Sequence, residues 1–244
     1  MSTLLLRLAA PMQSWGASSR FTYRTTLDHP TKSGVVGLLA AALGRRRTDS
    51  LEDLLELSLG VRLDQPGALI RDFHTAHRPD GTSMPLSHRY YLADAVFLAA
   101  IEGPTEVIAT LEEAVRRPRF PLYLGRRSCS PTLPLDLGVR KLGLRAALEQ
   151  EPWKASTRHR ERSERVVSVD VIVDAGPDDV HRPDATRFTL RDIPRSFDPT
   201  HREYATRAVV RYRVLLDNPD GQRATTGPVP AGVGGHDPMA ALEG

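Results

Sequence analysis

The run from 121 to 131 contains the residue types best suited to binding a phosphate. An extended apolar stretch ends in a glycine, two arginines and a serine: Gly125, Arg126, Arg127 and Ser128. Glycine accepts a positive φ and a close approach of the backbone to a ligand. Guanidinium groups are permanently charged forks that match phosphate oxygens, and Tyr123 adds a face on which a base can stack. The pattern favours a nucleic-acid pocket; its alternative is a surface turn with two solvated arginines.

A polar loop from 13 to 30 mixes hydrogen-bonding, aromatic and charged side chains. The candidates in it are Gln13, Trp15, Arg20 and Arg24. Single-stranded RNA is recognised by such a mixture, because its bases are unstacked and exposed. The alternative for Trp15 is a buried position that anchors the core.

A helix is expected from 30 to 44, capped by Thr31 or Ser33 and ended by Gly44. Free backbone N–H groups at a helix start favour a phosphate, and Lys32 and Ser33 would add a charge and a hydroxyl. The motif is not a P-loop, because the upstream glycines are missing. The alternative is an ordinary capped helix.

Five residues flank a turn-rich insertion and are interpreted as RNA-facing or interface residues: Arg71, His74, Arg89, Tyr90 and Tyr91. A solvated hairpin base is the alternative. His74 and His77 have a spacing that metal ligands sometimes show, but a strand would place them on opposite faces, so no metal site is expected. No cofactor is expected, and Cys129 is interpreted as a small packing residue.

Charge is distributed unevenly along the 244 residues, although the formal net charge is only +3. Basic residues dominate 1–47 and 116–145, whereas 49–64 is acidic. Two basic blocks suit a polyanionic partner on one face, although a GC-rich genome would also favour arginine. The longest apolar run, 35–43, is too short to span a bilayer, and we expect a cytoplasmic protein without a membrane partner.

The order of predicted elements is β-α-(α)-β-β-α-β. Strands are expected at 4–10, 68–75, 92–101 and 121–124, and helices at 30–44, 50–58 and 105–117. This order predicts an α+β, ferredoxin-like (RRM-like) split βαβ domain over 1–150. A β-hairpin thumb is expected at about 72–92, a smaller β-rich region at 151–218 with strands at 166–173 and 206–216, and a flexible tail at 219–244.

Five motifs then occur in a specific order. They are AAPMQSWG at 9–16, PTKSGVVGLLAAALG at 30–44, RDFHTAH at 71–77, RYYLADA at 89–95 and PLYLGRRSC at 121–129. The chain resembles the CasD subunits of type I-E CRISPR Cascade complexes, within the RAMP superfamily. The resemblance covers about 4–137 well. A weaker match in the C-terminal part of the chain involves Arg191, Phe197, Arg202 and Tyr204.

The resemblance implies a ferredoxin-like fold with a thumb and a non-catalytic role. The subunit would hold the repeat-derived 5′ handle of the guide RNA and contact the backbone and large subunits. The alternative is a metal-independent endoribonuclease that processes repeat RNA, for which His74, Tyr90 and Lys32 offer acid and base groups. A third possibility is a protein-interaction module without an RNA role.

Overall fold

The computed structural model describes residues 1–16, 23–176, 179, 184–198 and 200–222. Within these ranges the chain forms a mixed α/β structure. The strands are β1 Ser2–Ala9, β2 Met12–Gln13, β3 Tyr23–Arg24, β4 Ser58–Gln65, β5 Ala68–His74, β6 Ser87–Ala93, β7 Val96–Gly103, β8 Asp136–Arg140, β9 Val166–Asp174, β10 Thr186–Ser196 and β11 Glu203–Asp217. The helices are α1 Lys32–Leu43, α2 Glu52–Leu55, α3 Thr105–Arg116, α4 Leu144–Gln150 and α5 Thr157–Arg162.

A seven-stranded sheet with the order β10-β11-β9-β4-β7-β1-β8 organises the core. Its neighbouring strands are antiparallel. Strand β1 is buried on both faces: Leu4, Leu6 and Leu8 pack with α1 and α3, whereas Leu5 packs with α4. Burial on both sides explains why β1 contains three consecutive leucines, Leu4 to Leu6, rather than a strict alternation of apolar and polar residues.

Helix α1 begins and ends where the sequence predicts. The Thr31 hydroxyl oxygen accepts a 3.1 Å hydrogen bond from the Gly34 amide, which satisfies one of the free N–H groups of the first turn. Gly44 follows the last turn with φ 81°, a conformation that favours glycine. These boundaries fix the part of α1 that faces the candidate site.

Other sequence predictions were wrong in detail. Residues 121–124 form no strand, and β8 follows α3 instead. The expected strand at 92–101 divides into β6 and β7 around Asp94, which has φ 54°. The helix expected at 50–58 is the short α2, and β4 and β10 were not predicted.

A hairpin of β5 and β6 projects where the thumb was expected, over 68–93 rather than 72–92. Strand β6 also pairs with β2 and β3. In the C-terminal region, β9 pairs with β4, so the strands after 151 continue the main sheet. Of the predicted tail, 219–222 forms a turn in which the Gln222 amide donates to the Ser163 carbonyl at 3.0 Å; residues 223–244 lie outside the described residues.

Candidate nucleic-acid interface

A groove of about 1700 Å³ lies between the hairpin, α1, the turn at 124–129 and the C-terminal strands. Its described lining contains nine arginines and a single carboxylate, that of Asp72. The arginines are Arg24, Arg45, Arg46, Arg47, Arg89, Arg126, Arg127, Arg191 and Arg202. Such a concentration of fixed positive charge creates a site for a polyanion.

Aromatic rings are interleaved with these arginines. The described lining includes Trp15, Tyr91, Phe120, Tyr123, Phe197 and Tyr204. Aromatic faces beside guanidinium groups are the combination with which proteins stack bases while they neutralise phosphates.

The turn at 124–129 is held by backbone hydrogen bonds. The Leu124 amide donates to the Cys129 carbonyl at 2.8 Å, and the Cys129 amide donates to the Arg126 carbonyl at 2.9 Å. Gly125 has φ 89°, which confirms the positive φ expected there. Its close approach is to the backbone of Ser14, so this glycine packs the turn onto the neighbouring loop.

Arg126 is the better organised of the two arginines in the turn. Its guanidinium carbon lies 4.6 Å from the centre of the Tyr91 ring, within the range of a cation–π contact. Its Nη2 donates to the Arg24 carbonyl at 2.8 Å, whereas its buried Nη1 has no acceptor among the described residues. Arg127 and Ser128 are exposed.

Strand alternation divides the hairpin residues between two faces. Arg24 and Asp72 are the neighbours of Arg89 on β3 and β5. With His74 and Tyr91 they line the groove. The His74 Nε2 lies 2.8 Å from Asp72 Oδ2. The buried Nε of Arg89, like Nη1 of Arg126, has no hydrogen-bond partner in the described part of the chain.

Arg71 and Tyr90 face each other across β5 and β6, on the side of the hairpin away from the groove. Of the five hairpin candidates, the structure therefore brings Arg89, His74 and Tyr91 into the groove and leaves the other two outside it.

Gln13 and Trp15 are core residues, with exposed fractions of 0% and 1%. The Gln13 amide donates to the carbonyls of Leu8 and Ala95 at 3.1 and 2.7 Å, and its oxygen accepts from Trp15 Nε1 at 3.2 Å. Only the edge of Trp15 reaches the groove, where it packs on α1. Arg20, the third candidate of this loop, lies outside the described residues.

The start of α1 already has an anionic partner from the chain itself. The Lys32 amide donates to Asp192 Oδ2 at 2.7 Å, so a carboxylate stands where the sequence suggested a phosphate. The Lys32 ammonium is buried 3.8 Å from Asp174, and burial lowers its pKa. Lys32 does not line the groove, whereas Ser33 does.

The basic block at 116–145 contributes less than its composition suggested. Arg116 pairs with Asp136 and Glu112, Arg140 with Glu151, and Arg145 with Asp179. Among the arginines of this block, only Arg126 and Arg127 belong to the described lining.

Sequence reasoning did not select several groove residues as site residues. These are Arg45, Arg46, Arg47, Phe120, Arg191, Phe197, Arg202 and Tyr204. Two signals in the sequence could have identified most of these residues: the three consecutive arginines after α1, and the weaker C-terminal match to the family.

The surroundings of Cys129 disfavour the reactive thiolate form of its side chain. Burial raises the pKa of the Cys129 thiol, which outweighs the charge of the nearby arginine. Within the described ranges, no group of three or more His, Cys, Asp and Glu side chains is placed to hold a metal ion. Likewise, no described helix is long and apolar enough to cross a membrane.

Known proteins resemble this chain in sequence and in fold. The sequence pattern of the family described as CRISPR-associated protein (Cas_Cas5) matches residues 3–210. The CRISPR system Cascade subunit CasD of Escherichia coli (strain K12) is 41% identical over 175 residues, which are 62% of this chain and 78% of that protein.

Two solved structures are also similar. A chain of a CRISPR RNA-guided surveillance complex is 34% identical with a TM-score of 0.73, covering 91% of this chain and 95% of that chain. A crystal structure of a Cas protein is 35% identical with a TM-score of 0.66, covering 93% of this chain and 100% of that chain. The resemblance inferred from the five motifs is confirmed, and this chain belongs to the Cas5 family of CRISPR-associated proteins.

Proposed function

We propose that this chain is the guide-RNA-binding subunit of a CRISPR surveillance complex and holds the repeat-derived 5′ handle of the RNA. The observation that carries this proposal is the groove, whose lining, as far as the chain is described, contains nine arginines and six aromatic residues around one carboxylate. Its relatives include a Cascade subunit and a chain of an RNA-guided surveillance complex.

The groove suits a single strand better than a duplex. Base stacking on Tyr123, Tyr204 or Phe197 requires unpaired bases, while the arginines neutralise phosphates whatever the sequence. The two buried guanidinium nitrogens without acceptors, on Arg126 and Arg89, support an anionic ligand, because buried donors without partners are rare in folded proteins.

The partners are guide RNA and other subunits of the complex, among them the backbone subunit and the large subunit that the resemblance implies. Such a ribonucleoprotein acts in antiviral defence in the cytoplasm. The exposed face of the hairpin, with Tyr23, Leu69 and Phe73 each more than half exposed, is available for subunit contacts.

The role is non-catalytic in this proposal. The three groups that could act as acid or base in RNA cleavage lie apart. His74 is in the groove beside Asp72, Tyr90 is on the other face of the hairpin, and Lys32 is buried next to Asp174. Metal-independent cleavage needs an acid and a base on either side of one phosphodiester, so the endoribonuclease alternative is not favoured.

We further infer that β1, α1, β4, β7, α3 and β8 form a ferredoxin-like unit within residues 1–150. The sheet order β8-β1-β7-β4 supports this inference, because it places the first and third strands of a split βαβ unit side by side at the centre. In this proposal, 151–218 is a β-rich extension of the same sheet.

The experiment that tests the function measures binding of a labelled repeat RNA to the full-length chain. Wild type is compared with the Arg126→Ala/Arg127→Ala variant and with Arg116→Ala/Arg117→Ala, an adjacent pair outside the groove that carries the same change in charge. We expect salt-sensitive binding that the first variant weakens far more than the second. Equal loss in both variants would contradict a specific groove.

The same reactions, run with and without chelator, test the alternative. We expect the RNA to remain intact in both. A discrete cut at one repeat position that persists in chelator and disappears in a His74→Ala variant would establish the ribonuclease instead.

A further inference from the structure

Strand β10 contains a bulge beside the groove. Leu190 pairs with Arg207 of β11 and Ile193 pairs with Ala205, so Arg191 and Asp192 together face the single residue between those partners. A bulge bends its strand and redirects the side chains at that point. Here Arg191 is exposed in the groove lining, and Asp192 is only 1% exposed.

The buried carboxylate of Asp192 joins three elements. Its Oδ2 accepts from the Lys32 amide at the start of α1 at 2.7 Å. Both of its oxygens accept from Arg207 of β11, at 2.7 Å from Nε and 2.8 Å from Nη2. Arg207 also reaches Asp174 of β9 at 2.5 Å. The bulge is thereby fastened to the helix and to the two neighbouring strands of the sheet.

The helix that Asp192 fastens forms one wall of the groove. Ser33, Gly34 and Gly37 of α1 line it. Phe197, from the end of β10, lies against the same helix: a side-chain carbon at Gly37 would be 3.5 Å from the Phe197 ring. The C-terminal wall, which carries Arg191, is therefore positioned on α1 by the carboxylate contact at one end and an aromatic contact at the other.

We propose that Asp192 is a positioning residue for RNA binding: it docks the β10 bulge on the first turn of α1 and so directs Arg191 into the groove. This inference rests on the proposed function. Asp192 does not touch the RNA in this account, because its carboxylate is buried and saturated by Lys32 and Arg207. It acts through the placement of its neighbour.

Whether Asp192→Asn strengthens or weakens RNA binding distinguishes a positioning role from a purely electrostatic one. Replacing Asp192 with Asn removes one negative charge close to a basic groove, which by charge alone strengthens the attraction for RNA. If Asp192 instead holds Arg191 in place, the same substitution weakens binding. It also lowers the salt dependence of binding, because fewer phosphates are neutralised.

The experiment measures affinity of the full-length chain for the labelled repeat RNA over a series of salt concentrations. The variants are Asp192→Asn, Arg191→Ala, the double variant, and Asp217→Asn. The last is charge-matched: Asp217 is an exposed β11 residue outside the groove with no ion pair among the described residues. We expect Asp192→Asn to bind RNA about tenfold more weakly than wild type. The slope of log K against log salt should fall by about one, which corresponds to one lost phosphate contact. Asp217→Asn should match wild type.

The double variant should bind no more weakly than Arg191→Ala alone, since Asp192 acts through Arg191. If Asp192→Asn does not fold, Arg207→Lys keeps the charge but loses the two-pronged contact, and it should weaken binding in the same way. Binding by folded Asp192→Asn or Arg207→Lys as tight as by Asp217→Asn, or tighter, overturns the inference. Absence of salt-sensitive binding in wild type overturns the proposed function itself.

Discussion

Gly125 passes so close to Ser14 that a side-chain carbon on Gly125 would lie 1.7 Å from the Ser14 carbonyl oxygen. The Ser14 amide donates to the Leu124 carbonyl at 3.2 Å on the same side. The turn that carries Arg126 is therefore packed directly on the loop after β2. A residue without a side chain makes that approach possible, and the position of the arginine depends on it.

The variant Gly125→Ala should destabilise the fold strongly. Its methyl group would collide with backbone rather than with a flexible side chain, and alanine is strained at φ 89°. We expect the free energy of unfolding in urea to fall by about 3 kcal/mol and RNA binding to weaken as the turn moves.

The matched control is Gly81→Ala, at the hairpin tip. Gly81 has a similar φ of 85°, but an added side-chain carbon meets nothing within 4 Å. Only backbone strain applies there, about 1 kcal/mol. Equal losses in the two variants would mean that the contact with Ser14 has no energetic consequence.

Arg126→Lys should weaken RNA binding although the charge is retained. Lysine cannot lie as a plane over Tyr91, and it lacks the rigid fork in which one nitrogen bonds the Arg24 carbonyl while another remains for the ligand. We expect an affinity about tenfold lower, with a nearly unchanged salt slope because the number of charges is the same. Fluorescence anisotropy over a salt series measures both quantities.

Arg127, the exposed neighbour of Arg126, provides the comparison for this prediction. The Arg127 side chain is exposed, and none of the described rings or carbonyls holds it, so it acts as a solvated charge. Arg127→Lys should bind within about twofold of wild type. A loss as large as that of Arg126→Lys would show that both guanidinium groups require planar geometry.

The dependence of stability on pH should include a contribution from Asp28. The hydrogen bond from His29 and, after it, the charges of His29 and Arg211 lower the pKa of this carboxyl from 3.8 to about 2. The folded state thus favours the ionised form. The stabilisation is present above the unfolded pKa and is lost as the pH falls through about 2.

Urea unfolding of wild type and Asp28→Asn from about pH 6 downwards measures this contribution. The stability difference should be constant near neutral pH and shrink to zero towards pH 2. Because the Asp28 side chain is 58% exposed, the difference should not exceed about 1 kcal/mol. A difference that grows on acidification would contradict the assigned direction.

Local signals predicted the elements that local chemistry determines. Helix α1 follows from its Thr31 cap and its terminal Gly44, and β1 from a run of apolar residues. Strand β4 was missed because burial on both faces and the internal Arg62 hide the alternation of a strand. Residues 121–124 are apolar but form no strand; the Leu124 backbone bonds Ser14 and Cys129 in the turn instead.

The candidate site was only partly predictable for a different reason. Composition identifies arginines, but not which of them are already paired. Arg116, Arg140 and Arg145 carry the same charge in the sequence as Arg126, and each has a carboxylate partner from a distant segment. The carboxylate that occupies the start of α1 comes from Asp192, 160 residues after Lys32. No local pattern contains that contact.

The buried ion pair of Arg62 and Asp64 should contribute strongly to the stability of the contact between β4 and the end of α4. Both side chains are fully buried and joined at 2.6 Å. The Arg62 guanidinium also donates to the carbonyls of Leu148, Glu151 and Pro152 at the end of α4. Arg62→Met fills a similar volume but removes the side-chain donor of three carbonyls and leaves the buried Asp64 carboxylate without its counter-charge, bonded to the Lys154 amide at 2.7 Å. We expect unfolding free energy to fall by about 4 kcal/mol.

Urea unfolding of Arg62→Met and of Arg45→Met compares the loss of this buried ion pair with the loss of a more exposed one. Arg45 bonds Asp53 with both nitrogens, but the Asp53 side chain is 54% exposed, so water replaces the lost partner. Arg45→Met should cost less than about 1 kcal/mol. If the two variants lose similar stability, burial has not made the inner pair more costly to break, and the role of Arg62 in fastening α4 to the sheet is wrong.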